Sequence, residues 1–466
     1  MRFKAFEEFF EIPLRNGLTK PKRVRGEGYK MVNMGELFKY PRINNIPMDR
    51  VPLNDKELAS SMLQSGDLLF ARQSLVLEGA GQCSIFVDDD EEACFESHLI
   101  RCRLNKDIAN PLFYYYFFSS QIGKQTIGTI VEQGAGASGI RGSDLAKVLV
   151  PELDIEAQDA IAFILDQIDS KIELNQQINQ TLEQIAQAIF KSWFVDFEPV
   201  KAKIAALEAG GSEDDALLTA MQAISGKDPQ QLTQLQTENP EHYATLRATA
   251  ELFPAAMQES ELGEIPEGWV VSTLSDFCEF QNGYAFKGKD WADSGFPVVK
   301  IGSVKPGFVD LTKASYVSSK TVHGLERFEL KVGDILVGMT GYPGETGLVP
   351  NYPNRVFLNQ RVGRFIPNED YLYGYIFSAV RGLEFKTFVE SQAHGSAQAN
   401  VSGKAILKYP LISGSKSLMT QFHEIVNPQI QQMICLNAEC SQLAELRDTL
   451  LPKLLSGELN VNQDAD

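Results

Sequence analysis

The hydrophobic positions of this chain are most regular between Glu152 and Glu198. The stretch contains neither Gly nor Pro, so nothing in it forces a helix to break. Ile161, Ile168, Asn175, Leu182 and Ile189 recur every seven residues. Leu165, Ile172, Asn179, Ala186 and Trp193 form a second seven-residue row, four residues behind the first. Spacings of four and three put both rows on one stripe, the seam of a long helix that needs a partner helix. At ~1.5 Å per residue the helix would be roughly 70 Å long. That is too long for the core of a compact domain, so it reads as a spacer.

A matching stripe lies near the C-terminus. Phe422, Leu436, Leu443 and Leu450 make one row, and Val426, Met433, Cys440 and Leu454 the other. Subtracting 261 lays 422 on 161, 426 on 165, 433 on 172, 443 on 182 and 450 on 189. One such stripe alone also marks an ordinary surface helix. Two in register within one chain predict an intramolecular, antiparallel coiled coil. Its expected seam is Ile161, Leu165, Ile168, Ile172, Leu182 and Ile189 with Phe422, Val426, Met433, Leu443 and Leu450.

The remaining sequence is duplicated. Residues 29–35, Tyr-Lys-Met-Val-Asn-Met-Gly, meet Phe-Pro-Val-Val-Lys-Ile-Gly at 296–302, 267 positions later. Residues 63–70, Leu-Gln-Ser-Gly-Asp-Leu-Leu-Phe, meet Leu-Lys-Val-Gly-Asp-Ile-Leu-Val at 330–337, again 267 later. Asn16-Gly17 meets Asn282-Gly283 at 266, and Val150-Pro151 meets Tyr409-Pro410 at 259, a drift that a few residues lost from the second copy explain. The reading is an α+β chain of two repeated mixed globular domains joined by two long helices. The expected boundaries are a first domain at 1–151, a long helix at 152–198, a connector at 199–262, a second domain at 263–410, a second long helix at 411–458 and a tail at 459–466.

Composition adds limits. A chain of 466 residues with 44% hydrophobic content holds two to four domains with real cores. The longest apolar run is too short to span a bilayer, and Lys4, Glu7 and Glu8 interrupt the N-terminus, so neither a signal peptide nor a membrane helix is expected. Six cysteines without CxxC pairing and five scattered histidines give no metal-site pattern and fit reduced thiols in the cytoplasm. The net charge of −18 argues against nucleic-acid binding at first sight. Half of it, however, sits in residues 205–265, where eleven acids meet only Lys227 and Arg247. That connector carries Gly210-Gly211, Pro229, Pro240 and Pro254 between short Ala- and Leu-rich pieces, and reads as two or three short helices with solvated acidic faces.

No arrangement of residues supports catalysis. Asp67 and Asp334 follow Gly in turns, where a carboxylate caps backbone N–H groups, and no second carboxylate completes an acid–base pair. Gly134 to Gly139 matches GxGxxG, but the second copy, Gly395-Ser-Ala-Gln-Ala-Asn, loses the spacing, so a glycine-rich loop entering the last strand is the better account. Asn110-Pro111-Leu112-Phe113 resembles the Asn-Pro-Pro-Phe/Tyr motif of amino-methyltransferases without its second proline. Residues 112–118 read instead as an aromatic helix packing on its own domain. There is no GxxxxGK[ST], HExxH or GxSxG, and His98, His323, His394 and His423 have no ligand spacing.

Basic residues with polar neighbours remain in both copies. The first has Lys20, Lys22, Arg23 and Arg25, then Arg72-Gln73-Ser74, then Arg101, Arg103 and Arg141. The second has Lys287, Lys289, Lys300 and Lys305, with Gln360-Arg361 and Arg364. Arg and Gln can read guanine and adenine edges bidentately, and Lys and Ser suit phosphates. Any one of them alone is an ordinary solvated charge. As sets on repeated domains they fit two DNA-reading surfaces.

Three motifs carry a resemblance. They are Gln187-Ala-Ile-Phe-Lys-Ser-Trp-Phe-Val-Asp-Phe-Glu-Pro-Val-Lys201, Gly263-Glu-Ile-Pro-Glu-Gly-Trp269 and Leu446-Arg-Asp-Thr-Leu-Leu-Pro-Lys-Leu-Leu-Ser-Gly-Glu458. With the repeat plan, they make the chain resemble the specificity (S) subunit of type I restriction–modification systems. One departure is that the first copy begins at Phe6-Glu-Glu-Phe with no Ile-Pro-Glu-Gly-Trp before it, a first domain shortened at its start. The resemblance implies two target recognition domains reading a bipartite double-stranded DNA target, with the helix pair fixing the spacer. It also implies two methyltransferase (M) subunits docked on the helices and two restriction (R) subunits for cleavage. S-adenosylmethionine, ATP and Mg would sit on those partners, and this chain would hold no cofactor. The acidic total motivates a second reading, a non-catalytic protein–protein scaffold with a coiled-coil core. The salt dependence of DNA binding separates the two, because phosphate contacts make affinity fall steeply with salt.

Overall fold

The structure is a computed structural model. It describes every residue except Met1, Ala135, residues 395–398, Gly457 and residues 460–466, and only the backbone of Glu78. It divides into two compact units, Met1–Glu173 with Ser441–Asp466, and Leu174–Cys440. Two long helices, Ile155–Phe194 and Lys416–Ser456, each contribute residues to both units. The second continues through Pro428 and Pro452, each of which leaves the carbonyl four residues back without its helical donor.

The helices pair antiparallel. Partner numbers fall along one helix as they rise along the other. Asp169 accepts from the Arg447 guanidinium at 2.7 Å, Asn175 Nδ2 donates to Glu439 at 2.9 Å, and the Trp193 and Phe422 rings lie 5.7 Å apart. Ile161 and Leu165 are buried in the first unit in one core with Leu451, Leu454 and Leu455. Phe422, Val426 and Met433 are buried in the second unit in one core with Ala186, Phe190 and Trp193. The intervening seam residues Ile168, Ile172, Leu182, Ile189, Leu443 and Leu450 are only half-buried. A helix pair covers one face of each helix, so most seam positions away from the globular cores stay partly open, although Asn175 and Leu436 are buried between the two helices.

Each unit carries the same sheet plan. In the first unit, Phe10–Asn16, Leu99–Leu104, Leu68–Ala71 and Cys83–Asp88 are neighbours in that order, and in the second unit Cys278–Asn282, Val362–Pro367, Ile335–Gly338 and Thr346–Leu348 repeat it. Tyr29–Val32 runs parallel to Ala93–Phe95, as Phe296–Val299 runs parallel to Val356–Leu358. A terminal pair closes each unit, Arg2–Ala5 on Leu149–Glu152 and Val270–Thr273 on Pro410–Ser413. In that pair Ala5 faces Leu149 and Thr273 faces Pro410. Pro410 is therefore the counterpart of Leu149, and the copies end 261 apart rather than 259. The Val150-Pro151 match to Tyr409-Pro410 is a chance prolyl coincidence. The side chains agree, since Tyr114 OH donates to Pro151 O at 3.0 Å and Tyr375 OH to Ile412 O at 2.7 Å.

Local chemistry explains the repeated motifs. Gly66 and Gly333 have φ of +94° and +83°, the left-handed region, and each is followed by an aspartate that accepts at 2.8 Å from the backbone N–H three residues earlier, Gln64 and Lys331. Asp67 also takes both forks of Arg103 at 2.7 Å, and Asp334 accepts from Arg364 at 2.7 Å. A Cβ on Gly17 would lie 2.1 Å from Phe95 O, and one on Gly283 2.3 Å from Asn359 O, so both Asn-Gly pairs mark a crossing of backbones. Asn110 caps Pro111–Ser119 by accepting from Leu112 and Phe113 N–H, with Pro at the first helical position. Phe113 to Phe118 of that helix are all buried.

The connector belongs to the second unit and holds four helices, Glu198–Glu208, Glu213–Ser225, Pro229–Glu238 and Pro240–Glu251, followed by a hairpin of Met257–Ser260 and Gly263–Pro266. Two or three were expected. The breakers are effective, with Gly226 left-handed at φ +66° and Pro229 and Pro240 opening new helices. Ala220, Met221, Leu232, Leu246 and Ala250 give the last three helices a core of their own, whereas Val200 of the first is buried in the main core of the second unit. Lys203, 6% exposed, ties them down by donating to Phe253 O at 2.6 Å, and burial lowers its pKa.

Candidate nucleic-acid interface

In the first unit, three loops are stitched together by backbone hydrogen bonds. Arg72, leaving Leu68–Ala71, donates its N–H to His98 O at 2.8 Å, and Arg72 O accepts from Ile140 N at 2.9 Å. Gln73 and Ser74 pair with Gly139 and Ser138. Those strand residues belong to a hairpin with Glu132–Gln133, so the glycine-rich segment is a hairpin tip and not a loop between strand and helix. Its geometry is not that of a dinucleotide fingerprint. Ala135 lies outside the described residues.

The second unit repeats the construction. Met339 N donates to Arg361 O at 3.0 Å, Gly341 N donates to Ala399 O at 3.0 Å, and Thr340 Oγ1 donates to Asn400 Oδ1 at 2.8 Å. Of the motif Gly395 to Asn400, only Ala399 and Asn400 lie within the described residues. The basic loops depart beside the same turns. Leu18 forms a parallel bridge to Glu96, and Tyr284 one to Asn359, just before Lys20 and Lys287.

The candidate side chains separate into two kinds. Lys22, Arg23, Arg72, Gln73, Lys287, Lys289, Gln360 and Arg361 are exposed, and no hydrogen bond or ion pair occupies these side chains among the described residues. Arg141 is exposed and pairs with exposed Glu132 at 2.7 Å. The others are engaged within their own unit. Arg101 is 5% exposed, its guanidinium over the Phe95 ring and its pKa lowered by burial. Arg364 is held by Asp334, Gln281 and the carbonyls of Glu329 and Arg327. Lys300 sits 3.7 Å from the Trp291 ring centre and donates to Ser315 Oγ at 2.7 Å, with its pKa lowered by burial. Lys20 pairs with Glu57 at 2.8 Å, Arg25 with Asp49 at 2.7 Å, and buried Ser74 accepts from Val76 N at 3.2 Å.

Sequence reasoning passed over the apolar members of these loops. Leu75 and Val76 are 90% and 60% exposed, and Tyr342 is 72% exposed. Leu75 and Tyr342 are 267 apart, the repeat offset of the preceding strands, which is the signal that could have found them. Among the described residues no group of three or more His, Cys, Asp or Glu could hold a metal ion, and no helix is long and apolar enough to cross a membrane.

Comparison with known proteins fits this duplicated architecture. The family model of the type I restriction modification DNA specificity domain matches residues 2–184 and 266–412. The HindI specificity subunit of Haemophilus influenzae is 31% identical over 420 residues, which are 86% of this chain and 88% of that protein. The MjaIX specificity subunit of Methanocaldococcus jannaschii is 23% identical over 364 residues, 77% of this chain and 71% of that protein. A crystal structure of a type I S subunit from M. genitalium covers 97% of this chain and 95% of its own at 15% identity, with a TM-score of 0.49. With both repeats inside the family match and most of the chain aligned to a named relative, the chain belongs to the specificity-subunit family of type I restriction–modification systems.

Proposed function

We propose that each globular unit reads one half of a bipartite double-stranded DNA target through its stitched loop cluster. The carrying observation is that the two units share a strand plan while the loops hung on it differ, the arrangement expected for unlike half-sites read from a common scaffold. The exposed cations Lys22, Arg23, Arg72, Lys287, Lys289 and Arg361 supply phosphate and base-edge contacts. The paired long helices set the number of base pairs between the half-sites.

The helices also dock two M subunits. Exposed Phe163, Leu174 and Ile185 recur every 11 residues along the first helix, a spacing that keeps one face, and exposed Cys435 and Leu446 occupy the positions 261 later on the second. Two similar outward stripes, the second carrying Glu424 at the place of Phe163, suit two copies of one partner. In this reading the chain contributes no catalytic group. S-adenosylmethionine binds the M subunits, ATP and Mg bind two R subunits, and the assembly works in the cytoplasm.

The test is a titration of the complex with its M partner against random-sequence and selected duplexes at several salt concentrations. A bipartite preference with steeply salt-dependent affinity is expected. Salt-insensitive, weak binding without preference would favour a protein-only scaffold instead.

A further inference from the structure

We infer that the apolar loop tips, Leu75–Val76 in the first unit and Tyr342 in the second, press against base edges and decide part of each half-site. The inference rests on the DNA-reading role proposed above and goes beyond it by assigning base discrimination to uncharged residues. A leucine left 90% exposed gains nothing for folding. Clustered exposed hydrophobes mark a surface awaiting a partner.

Both tips are pre-shaped by buried anchors. Ser74, 8% exposed, fixes the first turn through its bond to Val76 N, and a Cβ on Gly79 would lie 2.3 Å from Ser74 Oγ. In the second unit, buried Pro343 and left-handed Gly344, whose N–H donates to Gly338 O at 3.0 Å, fix the turn beneath Tyr342. A rigid turn presents its tip at little entropic cost on binding. Each tip is also flanked by an unpaired exposed guanidinium, Arg72 within three residues of Leu75, and Arg361, whose carbonyl holds Met339 close to Tyr342. A cation beside an apolar tip fits DNA, where phosphate and groove wall lie side by side. The aliphatic pair suits thymine 5-methyl groups in the major groove, whereas the tyrosine offers a ring face and one hydroxyl.

The experiment is selection from a random-sequence duplex library by the complex of full chain and M partner. It compares wild type, Leu75→Ser with Val76→Ser, and Tyr342→Ser. The first variant should lose about tenfold in preference at bases of one half-site only, and the second at bases of the other, with melting temperatures unchanged. In the wild type, replacing thymine by deoxyuridine in the half-site touched by Leu75 should weaken binding, and the serine variant should no longer sense that change. Should a serine variant melt lower, the exchange Leu75→Tyr with Tyr342→Leu keeps an apolar tip at each place and should redirect both half-sites.

Unchanged selection by all variants overturns the inference. So does loss of M-subunit assembly with base preference intact. If the wild type itself enriches no bipartite sequence, the DNA-reading role fails and not the tip assignment alone.

Discussion

The two globular units are built on one strand plan, yet they spend their side chains differently. What they share is framework: the Asn-Gly backbone crossing, the left-handed Gly before Asp, the Arg that closes on that Asp, and the tyrosine that ties the aromatic helix to the last strand. What differs is the exposed loop chemistry and a few positions on the long helices. His423, for example, occupies the place of buried Ala162 one repeat earlier. Steric and buried electrostatic demands tolerate little change, whereas a solvated loop tip is free to diverge with its ligand.

The sharpest way to break this equivalence is at the aspartates. Asp67 is fully buried and its loss would leave Arg103 only the Met62 carbonyl, whereas Asp334 is 19% exposed and Arg364 keeps Gln281 and two carbonyls if its aspartate is lost. Asp67→Ala should therefore destabilise the first unit by roughly 3–5 kcal/mol, the cost of a stranded buried charge, and Asp334→Ala should cost the second unit less. Hydrogen exchange resolved by peptide reads each unit separately. Equal losses would show that the two turns carry the same load.

Next come the crossings. Gly17→Ala and Gly283→Ala each push a methyl onto a backbone carbonyl and should each cost about 1–3 kcal/mol. Gly35→Ala, whose Cβ would meet nothing within 4 Å, should cost far less. Denaturant midpoints followed by the same exchange measurement check this.

A smaller difference is one of pH. Burial lowers the pKa of His423, and its Nδ1 accepts from Gly374 N–H at 3.3 Å, a bond available only to the neutral ring. Asp370 and Glu424 oppose that shift without cancelling it. Since the folded pKa lies below the unfolded value near 6.5, this contribution is complete above pH 6.5 and is lost as pH falls below it. The second unit should thus lose protection as pH falls below 6.5, and His423→Gln should reduce that loss without changing the first unit. Smallest of all, Glu132→Gln removes an exposed partner of Arg141 and should leave thermal stability unchanged within error. A measurable drop would place that pair among the framework contacts.

Much of this was legible because it is local. A glycine before an aspartate, a Gly- and Pro-free stretch and a seven-residue row are properties of consecutive residues, and their repetition at fixed offsets exposed the duplication. The seam was legible as a stripe, but not its uneven burial. Ile161 and Phe422 sit within globular cores, Leu182 only borders one, and Ile172 belongs to none. The candidate site was legible only as a set of residue types. Arg101 and Arg364 look like Arg72 and Arg361 in the sequence, and only the fold directs the first two inward.

The sequence by itself determined that the chain is a duplication, that two long helices carry one seam, and which family the chain resembles, because periodicity and motif spacing are written in one dimension. Tertiary structure alone decided the true register of the closing strands, the connector's separate small core, and which charges and hydrophobes remain available to a ligand. Those depend on which surfaces are already covered, and coverage comes from residues tens to hundreds of positions away.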